Sequence, residues 1–251
     1  MKMNSNTILI TGGSSGIGQG LAEAFHKLGN KIVVAGRRES ALQELCSGNP
    51  GMRYFVMDVA DPASIRFATS RILREFPSLN CVFNNAGVQH EYNFASGQAI
   101  DVSALVAEIN TNLLGAIVLA SEMVPHLKQQ KDAVLLNVSS GLAFVPLARF
   151  PVYSATKAAL HFFTISLRHQ LKESGIKVIE LIPPYVATNL GGLGKQVSPH
   201  APQPMPLHTF VTQAMNELAT DVDEIAIGDA KGLVAAANQE SVKKVFSGMN
   251  R

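Results

Sequence analysis

The residues best suited to chemistry in this sequence are a tyrosine and a lysine four positions apart, Tyr153 and Lys157. The stretch around them, Pro151 to Phe163, has the alanine and leucine content of a helix. Residues i and i+4 of a helix share a face, so the phenol and the ammonium would be neighbours. A nearby cation favours the phenolate, and we expect it to lower the pKa of Tyr153 from about 10. Such a pair could exchange protons near neutral pH, unless it is an ordinary surface pair.

Alternating strands and helices would position this pair. Short apolar runs rich in β-branched residues alternate with amphipathic stretches from Thr7 onward, which predicts parallel strands joined by helical crossovers. We therefore expect an α/β fold, a Rossmann-type doubly wound parallel sheet of about seven strands with helices on both faces. Residues 1–251 would form a single domain, with a substrate lid at about 189–219, where glycine and proline are frequent.

A glycine-rich loop follows the first predicted strand, Thr7–Thr11, and precedes a predicted helix. Glycines permit a tight turn and close approach of the backbone to a phosphate, and a helix N-terminus offers free N–H groups. A tight turn without a ligand is the alternative. The predicted dinucleotide contacts in this loop are Gly12, Ser14, Ser15, Gly16, Ile17 and Gly18.

The second predicted strand ends in Gly36-Arg37-Arg38, where NAD-binding folds usually carry an acidic residue. A guanidinium can hold the 2′-phosphate of NADP with two parallel hydrogen bonds, whereas a carboxylate would repel it. We therefore predict that NADP(H) is preferred over NAD(H), with Arg37 as the first candidate ligand. Arg38 is either a second ligand or a solvated turn residue. Other predicted strand ends contribute Asp58, Val59, Asn85, Ala86 and Gly87.

One long helix is predicted over about 103–130, and it contains Asn110, Asn112 and Gly115. An asparagine amide competes for backbone hydrogen bonds and is unfavourable inside a helix. We therefore expect a local kink or a functional site in the middle of this helix.

Composition excludes several function classes. The chain has 21 basic and 19 acidic residues, a balance that argues against nucleic acid as the main partner. Cys46 and Cys81 have neither metal nor redox spacing, which is typical of a reducing compartment. We find no metal cluster, no N-terminal leader and no uninterrupted apolar run near the ~20 residues of a membrane span. We expect a cytoplasmic protein without a membrane partner.

Taken together, the motifs resemble those of the short-chain dehydrogenase/reductase family over nearly the whole chain. The TGxxxGxG pattern falls at Thr11–Gly18, the NNAG element at Asn84–Gly87 and the YxxxK motif at Tyr153–Lys157. The resemblance implies an NAD(P)-dependent oxidoreductase with the catalytic set Asn112, Ser140, Tyr153 and Lys157. The chain is also similar to a subgroup named after D-alanine transfer operons, and that name reports genomic neighbours rather than a reaction.

The resemblance also implies a role for each residue. Tyr153 would exchange a proton with a carbonyl or alcohol oxygen that Ser140 holds, while Lys157 lowers the tyrosine pKa and holds the nicotinamide ribose. Asn112 would position a water molecule. One residue departs from the pattern, because Pro184 stands where the family has glycine and therefore offers no N–H. Further implied cofactor contacts are Tyr153, Lys157, Pro183, Val186 and Thr188.

The substrate is the least determined feature. Apolar residues near Ser140 favour a small apolar or aromatic ketone or aldehyde, although core packing explains them equally well. A nucleotide-binding, redox-sensing regulator without turnover and a structural or assembly protein are the alternatives. The family resemblance implies a homodimer or homotetramer. The predicted substrate contacts are Ser140, Leu142, Phe144, Tyr153 and Tyr185.

Overall fold

A computed structural model of the protein describes residues 1–190, 203–237 and Gly248. Its centre is one sheet of seven parallel strands in the order β3-β2-β1-β4-β5-β6-β7, which confirms the predicted sheet. The strands are β1 Thr7–Thr11, β2 Lys31–Gly36, β3 Arg53–Val56, β4 Cys81–Asn84, β5 Val134–Val138, β6 Lys177–Ile182 and β7 Glu224–Ala226.

Helices connect the strands, as parallel pairing requires. Several begin at the predicted signals, and at the start of the third helix the Asp61 carboxylate accepts the Ala63 N–H beside Pro62. The helices are α1 Gly16–Lys27, α2 Glu39–Gly48, α3 Pro62–Glu75, α4 Val102–Ile109, α5 Gly115–Leu127, α6 Pro151–Gln170, α7 Leu207–Leu218 and α8 Ala230–Ala235.

The core lies on both faces of the sheet, which confirms the doubly wound arrangement. Ile8 and Ile10 of β1 point to one face, together with buried residues of α1, α2 and α7. Leu9 points to the other face, together with buried residues of α3, α5 and α6. This alternation along fully buried strands is the expected result of a period of two.

The long helix predicted over 103–130 is interrupted where its asparagines lie. Residues Asn110–Leu114 form a π-helical turn between α4 and α5, which confirms the predicted irregularity. The combined segment Val102–Leu127 has 26 residues, and an 18-residue window within it has a mean hydropathy of 1.7, so by length and composition it could cross a membrane. The prediction that no uninterrupted apolar run reaches that length holds, because Glu108, Asn110 and Asn112 interrupt this segment, and a core helix of a soluble protein passes the same test.

The predicted lid at 189–219 extends too far along the chain. Its last part is α7, whose Phe210, Ala214 and Leu218 are 0% exposed and belong to the core. A helix anchored by three fully buried side chains cannot open without exposing them to water. Only 189–206 remain candidates for a lid, and 191–202 lie outside the described residues.

Candidate active site

The strand order reverses between β1 and β4, and the glycine loop and the NNAG segment meet at this point. The Thr11 hydroxyl oxygen accepts the N–H groups of Asn85 at 3.1 Å and Ala86 at 3.2 Å. The Asn85 amide donates to the Thr11 carbonyl at 2.9 Å. A Cβ atom on Gly12 would lie 2.8 Å from Ala86 Cα, so a side chain at this position would force the two segments apart.

The glycine loop leaves the start of α1 open to an anion. Gly12 and Gly16 have φ angles of +65° and +56°, in the left-handed region that favours glycine. Ser15 is the N-cap residue of α1, but its side chain does not cap the helix. Among the described residues, no hydrogen bond engages the N–H groups of Gly16 and Ile17. Free N–H groups on a 12-residue helix fit the pyrophosphate of a dinucleotide.

The two arginines after β2 make different contacts, and the one expected from the sequence to be the first candidate ligand, Arg37, is not the one that reaches the glycine loop. Arg38, rather than Arg37, contacts the glycine loop, because its guanidinium donates to the hydroxyls of Ser14 at 3.3 Å and Ser15 at 3.0 Å. Arg37 is exposed and makes no hydrogen bond or ion pair within the described part of the chain. The two serines and Arg38 therefore form one polar group at the carboxyl end of β2.

Asp58 and Val59 follow β3 at the same edge of the sheet. The Asp58 carboxylate accepts the Ala60 N–H at 2.9 Å, and the Asp58 N–H donates to the Ser64 hydroxyl at 3.0 Å. Asp58 therefore also shapes its own turn. The Val59 carbonyl packs so tightly against Gly115 that a Cβ atom there would collide with it.

The predicted catalytic pair, Tyr153 and Lys157, lies on α6 and is buried. Tyr153 is 6% exposed and Lys157 is 3% exposed, so the pair is not an ordinary surface pair. Ser140 comes after β5 and shares a hydrogen bond with the Tyr153 hydroxyl, while its Oγ accepts the Leu142 N–H at 3.1 Å. The Lys157 Nζ lies 5.7 Å from the centre of the Tyr153 ring and donates to the Val138 carbonyl at 2.8 Å.

The expected lowering of the tyrosine pKa does not occur in this structure. Burial raises the pKa of Tyr153 to about 12, the hydrogen bond with Ser140 opposes that rise, and the charge of Glu108 adds to it. Burial also lowers the pKa of Lys157 to about 8, against the opposing influence of Glu180. The expectation was wrong because desolvation acts on both partners, and it outweighs the effect of a cation that a carbonyl already engages.

Asn112 lies in the π-helical turn and fastens the segment after β4. Its Oδ1 accepts the Val88 N–H at 2.8 Å, and its Nδ2 donates to the Val88 carbonyl at 2.8 Å and to the Thr156 hydroxyl at 3.2 Å. A Cβ atom on Gly87 would lie 3.3 Å from Asn112 Oδ1 and 3.7 Å from Lys157 Nζ. Gly87, Asn112 and Lys157 therefore lie close together. The water molecule that Asn112 would position stays a prediction.

The residues after β6 lie at the same carboxyl edge of the sheet as the glycine loop. The Pro183 carbonyl accepts the Gly141 N–H at 3.0 Å. Thr188 approaches the glycine loop, since its Cγ2 lies 3.3 Å from where a Cβ atom on Gly16 would be. Val186 is 6% exposed and pairs with Met205. The structure thus brings both ends of the predicted cofactor site to the same edge.

A family model described as short chain dehydrogenase matches residues 6–196 of the chain. The chain belongs to the short-chain dehydrogenase family. It is 38% identical over 250 residues to the uncharacterized oxidoreductase DltE of Bacillus subtilis strain 168, an alignment that covers 100% of this chain and 98% of that protein.

Solved structures of short-chain dehydrogenases have the same architecture. One from Sphingobium yanoikuyae in complex with NADPH has a TM-score of 0.80 at 26% identity, with 97% of this chain and 94% of that chain covered. One from Burkholderia phymatum in complex with NAD has a TM-score of 0.82 at 20% identity, with 98% and 96% covered. These likenesses confirm the α/β fold of a short-chain dehydrogenase.

The predicted substrate residues of this short-chain dehydrogenase differ in exposure. Leu142 and Phe144 are half-buried, and the Phe144 ring packs against His161 at a centroid distance of 4.5 Å. Tyr185 is 46% exposed. These three side chains are therefore partly accessible near the edge that holds Ser140 and Tyr153, as a substrate wall requires.

Two functional candidates escaped the sequence analysis of this short-chain dehydrogenase. Glu108 and Glu180 are both 0% exposed, and the Glu180 carboxylate accepts from His161 Nδ1 at 2.8 Å. Two signals could have revealed Glu180: it is a lone carboxylate in the apolar strand VIELI, and His161 follows Lys157 by one helical turn. Glu108 carries the first of these signals too, since it is the one charged residue of the apolar helix VSALVAEI.

Proposed function

We propose that this protein is an NADP(H)-dependent reductase of a small apolar or aromatic ketone or aldehyde, with Tyr153 as the proton donor. The observation that carries the proposal is the convergence of Tyr153, Ser140 and Lys157 in a buried position at the carboxyl edge of the sheet. An open helix N-terminus and glycine loop lie at the same edge. Membership of an oxidoreductase family supports it further.

The protonation state of Tyr153 is compatible with the proposed role of proton donor. Its pKa of about 12 keeps the phenol protonated at neutral pH, and a protonated phenol is what carbonyl reduction needs. In the proposed reaction Tyr153 donates its proton to the carbonyl oxygen, and the Ser140 hydroxyl holds that oxygen in place. When bound, NADPH supplies the hydride. Lys157 would lie beside the nicotinamide ribose and position its hydroxyl groups.

NADP is proposed over NAD because of the polar group after β2. Arg38 lies on Ser14 and Ser15, so a guanidinium and two hydroxyls are available to a 2′-phosphate there. Of the two solved structures compared above, one holds NADPH and the other holds NAD, so the similar structures do not decide between the two cofactors. Further proposed cofactor contacts are Gly12, Gly16, Ile17, Gly18, Arg37, Asp58, Val59, Asn85, Ala86, Gly87, Pro183, Val186 and Thr188.

The catalytic assignment is tested by Tyr153→Phe, which keeps the ring and removes the hydroxyl. We expect NADPH consumption with a panel of apolar and aromatic ketones and aldehydes to fall at least ~10³-fold. The dissociation constant for NADPH, measured by fluorescence, should change less than about threefold. Turnover retained by this variant would reject Tyr153 as the proton donor. A wild-type protein that binds NADPH but reduces no member of the panel would instead favour the redox-sensing regulator.

The cofactor assignment is tested by a matched pair, Arg38→Gln and Arg37→Gln, each of which removes one positive charge. We expect Arg38→Gln to weaken NADPH binding at least ~10-fold and to leave NADH binding nearly unchanged. Arg37→Gln should have the smaller effect, since Arg37 makes no contact with the loop serines. Tighter binding of NADH than of NADPH by the wild-type protein would overturn the preference.

A homo-oligomer belongs to the same proposal. Two neighbouring helices expose apolar side chains, with Val102 of α4 at 67% and Phe162 of α6 at 68% exposure. Burial of such a face against a second copy of the chain would remove it from water. Light scattering should report a dimer or tetramer that Phe162→Glu weakens, and a monomer at micromolar concentration would exclude it.

The free cysteines, Cys46 and Cys81, fit a reducing cytoplasm.

A further inference from the structure

Three side chains that can bind a metal ion meet beside the helix that carries Tyr153 and Lys157. They are His161 on α6, Glu180 on β6 and Glu224 on β7, and their ligand atoms lie within 4.8 Å of one another. They are distant along the chain, which is why the sequence shows no metal motif. Ligand atoms around a tetrahedral zinc ion are about 3.4 Å apart, for bonds of about 2.1 Å. Small side-chain rotations would therefore bring all three onto one ion.

The sheet places the two carboxylates of this cluster side by side. Glu180 and Glu224 are register partners in the parallel pair of β6 and β7, and such partners point to the same face of a sheet. Ile179 and Leu181, which flank Glu180, point to the opposite face, together with buried residues of α1 and α7. Both glutamates therefore face α6. Neighbouring like charges repel each other, and a cation between them removes that repulsion.

A buried oxygen of Glu180 is the observation that points to a ligand. Glu180 is 0% exposed, and its Oε2 accepts from His161 Nδ1 at 2.8 Å. Its Oε1 is also buried and has no hydrogen-bond partner among the described residues. The two oxygens are bonded to one carbon, so the unpartnered oxygen lies at the same cluster. A buried carboxylate oxygen without a partner is costly, and a metal ion would engage it.

The other charges near the cluster leave it negative. Within the described part of the chain, Glu224 forms no ion pair, and Glu180 forms one, with His161. The guanidinium of Arg168 on α6 donates to two backbone carbonyls rather than to either carboxylate. A neutral imidazole and two carboxylates carry two negative charges, which a divalent cation balances.

We propose that His161, Glu180 and Glu224 form a binding site for zinc or a divalent cation of similar ligand preference. One nitrogen and two carboxylate oxygens are a ligand set that zinc accepts, with a fourth position for water, whereas calcium and magnesium take oxygen ligands. Without the ion, His161 and Glu180 keep their ion pair, so the pair and the metal site are alternative states of the same side chains. The ion would join β6 and β7 to α6, one helical turn after Lys157.

Calorimetric titration of the full chain with zinc chloride tests the site. The protein is first dialysed against EDTA and then freed of the chelator. We expect one zinc ion to bind per chain with a dissociation constant tighter than about 50 μM. Weaker binding, or none, would overturn the proposal.

Two variants separate this site from other zinc ligands on the surface. Glu224→Gln removes a ligand at an exposed position, and should weaken zinc binding at least ~10-fold. Asp223→Asn is the matched control, because it removes an equal charge from the adjacent residue, whose carboxylate lies 3.5 Å from Lys177 Nζ. It should change the dissociation constant less than about threefold. If the two variants bind zinc alike, the zinc is held elsewhere and the proposal fails.

Cobalt(II) tests whether an imidazole belongs to the site. A cobalt ion held by four or five protein and water ligands absorbs visible light more strongly than the aqueous ion, and His161→Gln should remove this absorption. An unchanged absorption would exclude His161 as a ligand and overturn the proposed set.

Thermal unfolding gives an independent measurement of the same site. Zinc at about 100 times its dissociation constant should raise the Tm of the wild type by about 5 °C or more, because the ion binds the folded chain. An equal rise in Glu224→Gln would contradict the proposal. None of these measurements uses NADPH or a carbonyl compound, so their outcome is separate from that of the proposed function.

Discussion

Glu108 and Glu180 are both buried carboxylates, and different partners compensate their charges. Each is 0% exposed, and each has one oxygen without a hydrogen bond among the described residues. Glu180 on β6 pairs with His161 at 2.8 Å. Within the described part of the chain, the one hydrogen bond that Glu108 on α4 accepts is from the backbone N–H of His90, at 3.4 Å. An imidazolium compensates a buried charge much better than a peptide dipole does. We therefore expect Glu180 to contribute to stability and Glu108 to reduce it.

The two carboxylates also act on different members of the proposed catalytic pair, Tyr153 and Lys157. The charge of Glu180 favours the protonated form of Lys157, and the charge of Glu108 favours the protonated form of Tyr153. Burial alone would favour the neutral lysine and the neutral tyrosine. Glu180 therefore opposes the effect of burial on Lys157, while Glu108 reinforces it on Tyr153. The same change at the two positions should have opposite consequences for stability.

The largest expected effect on stability is that of Glu180→Gln. Glutamine can still accept from His161, but the bond loses its charge assistance, so we expect the free energy of unfolding at pH 6 to fall by about 1.5–3 kcal/mol. Urea unfolding followed by circular dichroism measures it. The control is Glu173→Gln, an exposed glutamate whose side chain is 89% accessible, which should be neutral. Equal effects of the two changes would show that the buried pair contributes nothing.

The second effect is the pH dependence that His161 confers. The hydrogen bond with Glu180 raises the pKa of His161 above its ordinary value of 6.5. A base with a raised pKa in the folded state stabilises the protein fully below pH 6.5, and this stabilisation is lost as pH rises through the folded-state pKa. The free energy of unfolding should therefore fall more between pH 6 and pH 9 in the wild type than in His161→Gln. Parallel pH profiles would mean that the pair does not titrate.

The third effect has the opposite sign. Burial raises the pKa of Glu108, so its ionised form costs stability, and that cost appears as pH rises above the ordinary value of 4.5. We expect Glu108→Gln to raise the free energy of unfolding at pH 7 to 8. The gain should disappear below about pH 4.5, where the unfolded carboxyl is protonated too. A loss of stability at neutral pH would show that the charge is compensated after all.

This contrast also separates what the sequence could predict from what it could not. The sheet, the glycine loop and the irregularity near Asn112 follow from local patterns of apolar residues, glycine and asparagine. Such patterns depend on residues that are close to one another along the sequence. They predict which residues reach the carboxyl edge of the sheet, because strand ends are visible in the sequence.

The missed features depend on contacts between distant segments. The pKa of Tyr153 is determined mostly by burial, which the spacing of Tyr153 and Lys157 does not contain. The sequence favours Arg37 over Arg38 as the phosphate ligand, and the contact of Arg38 with Ser14 and Ser15 is visible only in the folded chain. Substrate choice depends on side-chain directions in half-buried loops. These quantities are set by tertiary packing, so a pattern along the chain cannot supply them.

The smallest expected effect is that of Glu91→Gln, and it shows what burial contributes to the comparison. Glu91 and Arg149 lie 2.6 Å apart, closer than Glu180 and His161, yet their side chains are 44% and 40% exposed. Water screens an exposed pair and two long side chains lose entropy in holding it, so the free energy of unfolding should change by no more than about 0.5 kcal/mol. Urea unfolding at low and at high salt measures it, and salt should remove what little effect remains. If Glu91→Gln were as costly as Glu180→Gln, the separation of the charges and not their burial would determine the strength of these pairs, and the opposite signs expected for Glu108 and Glu180 would lose their basis.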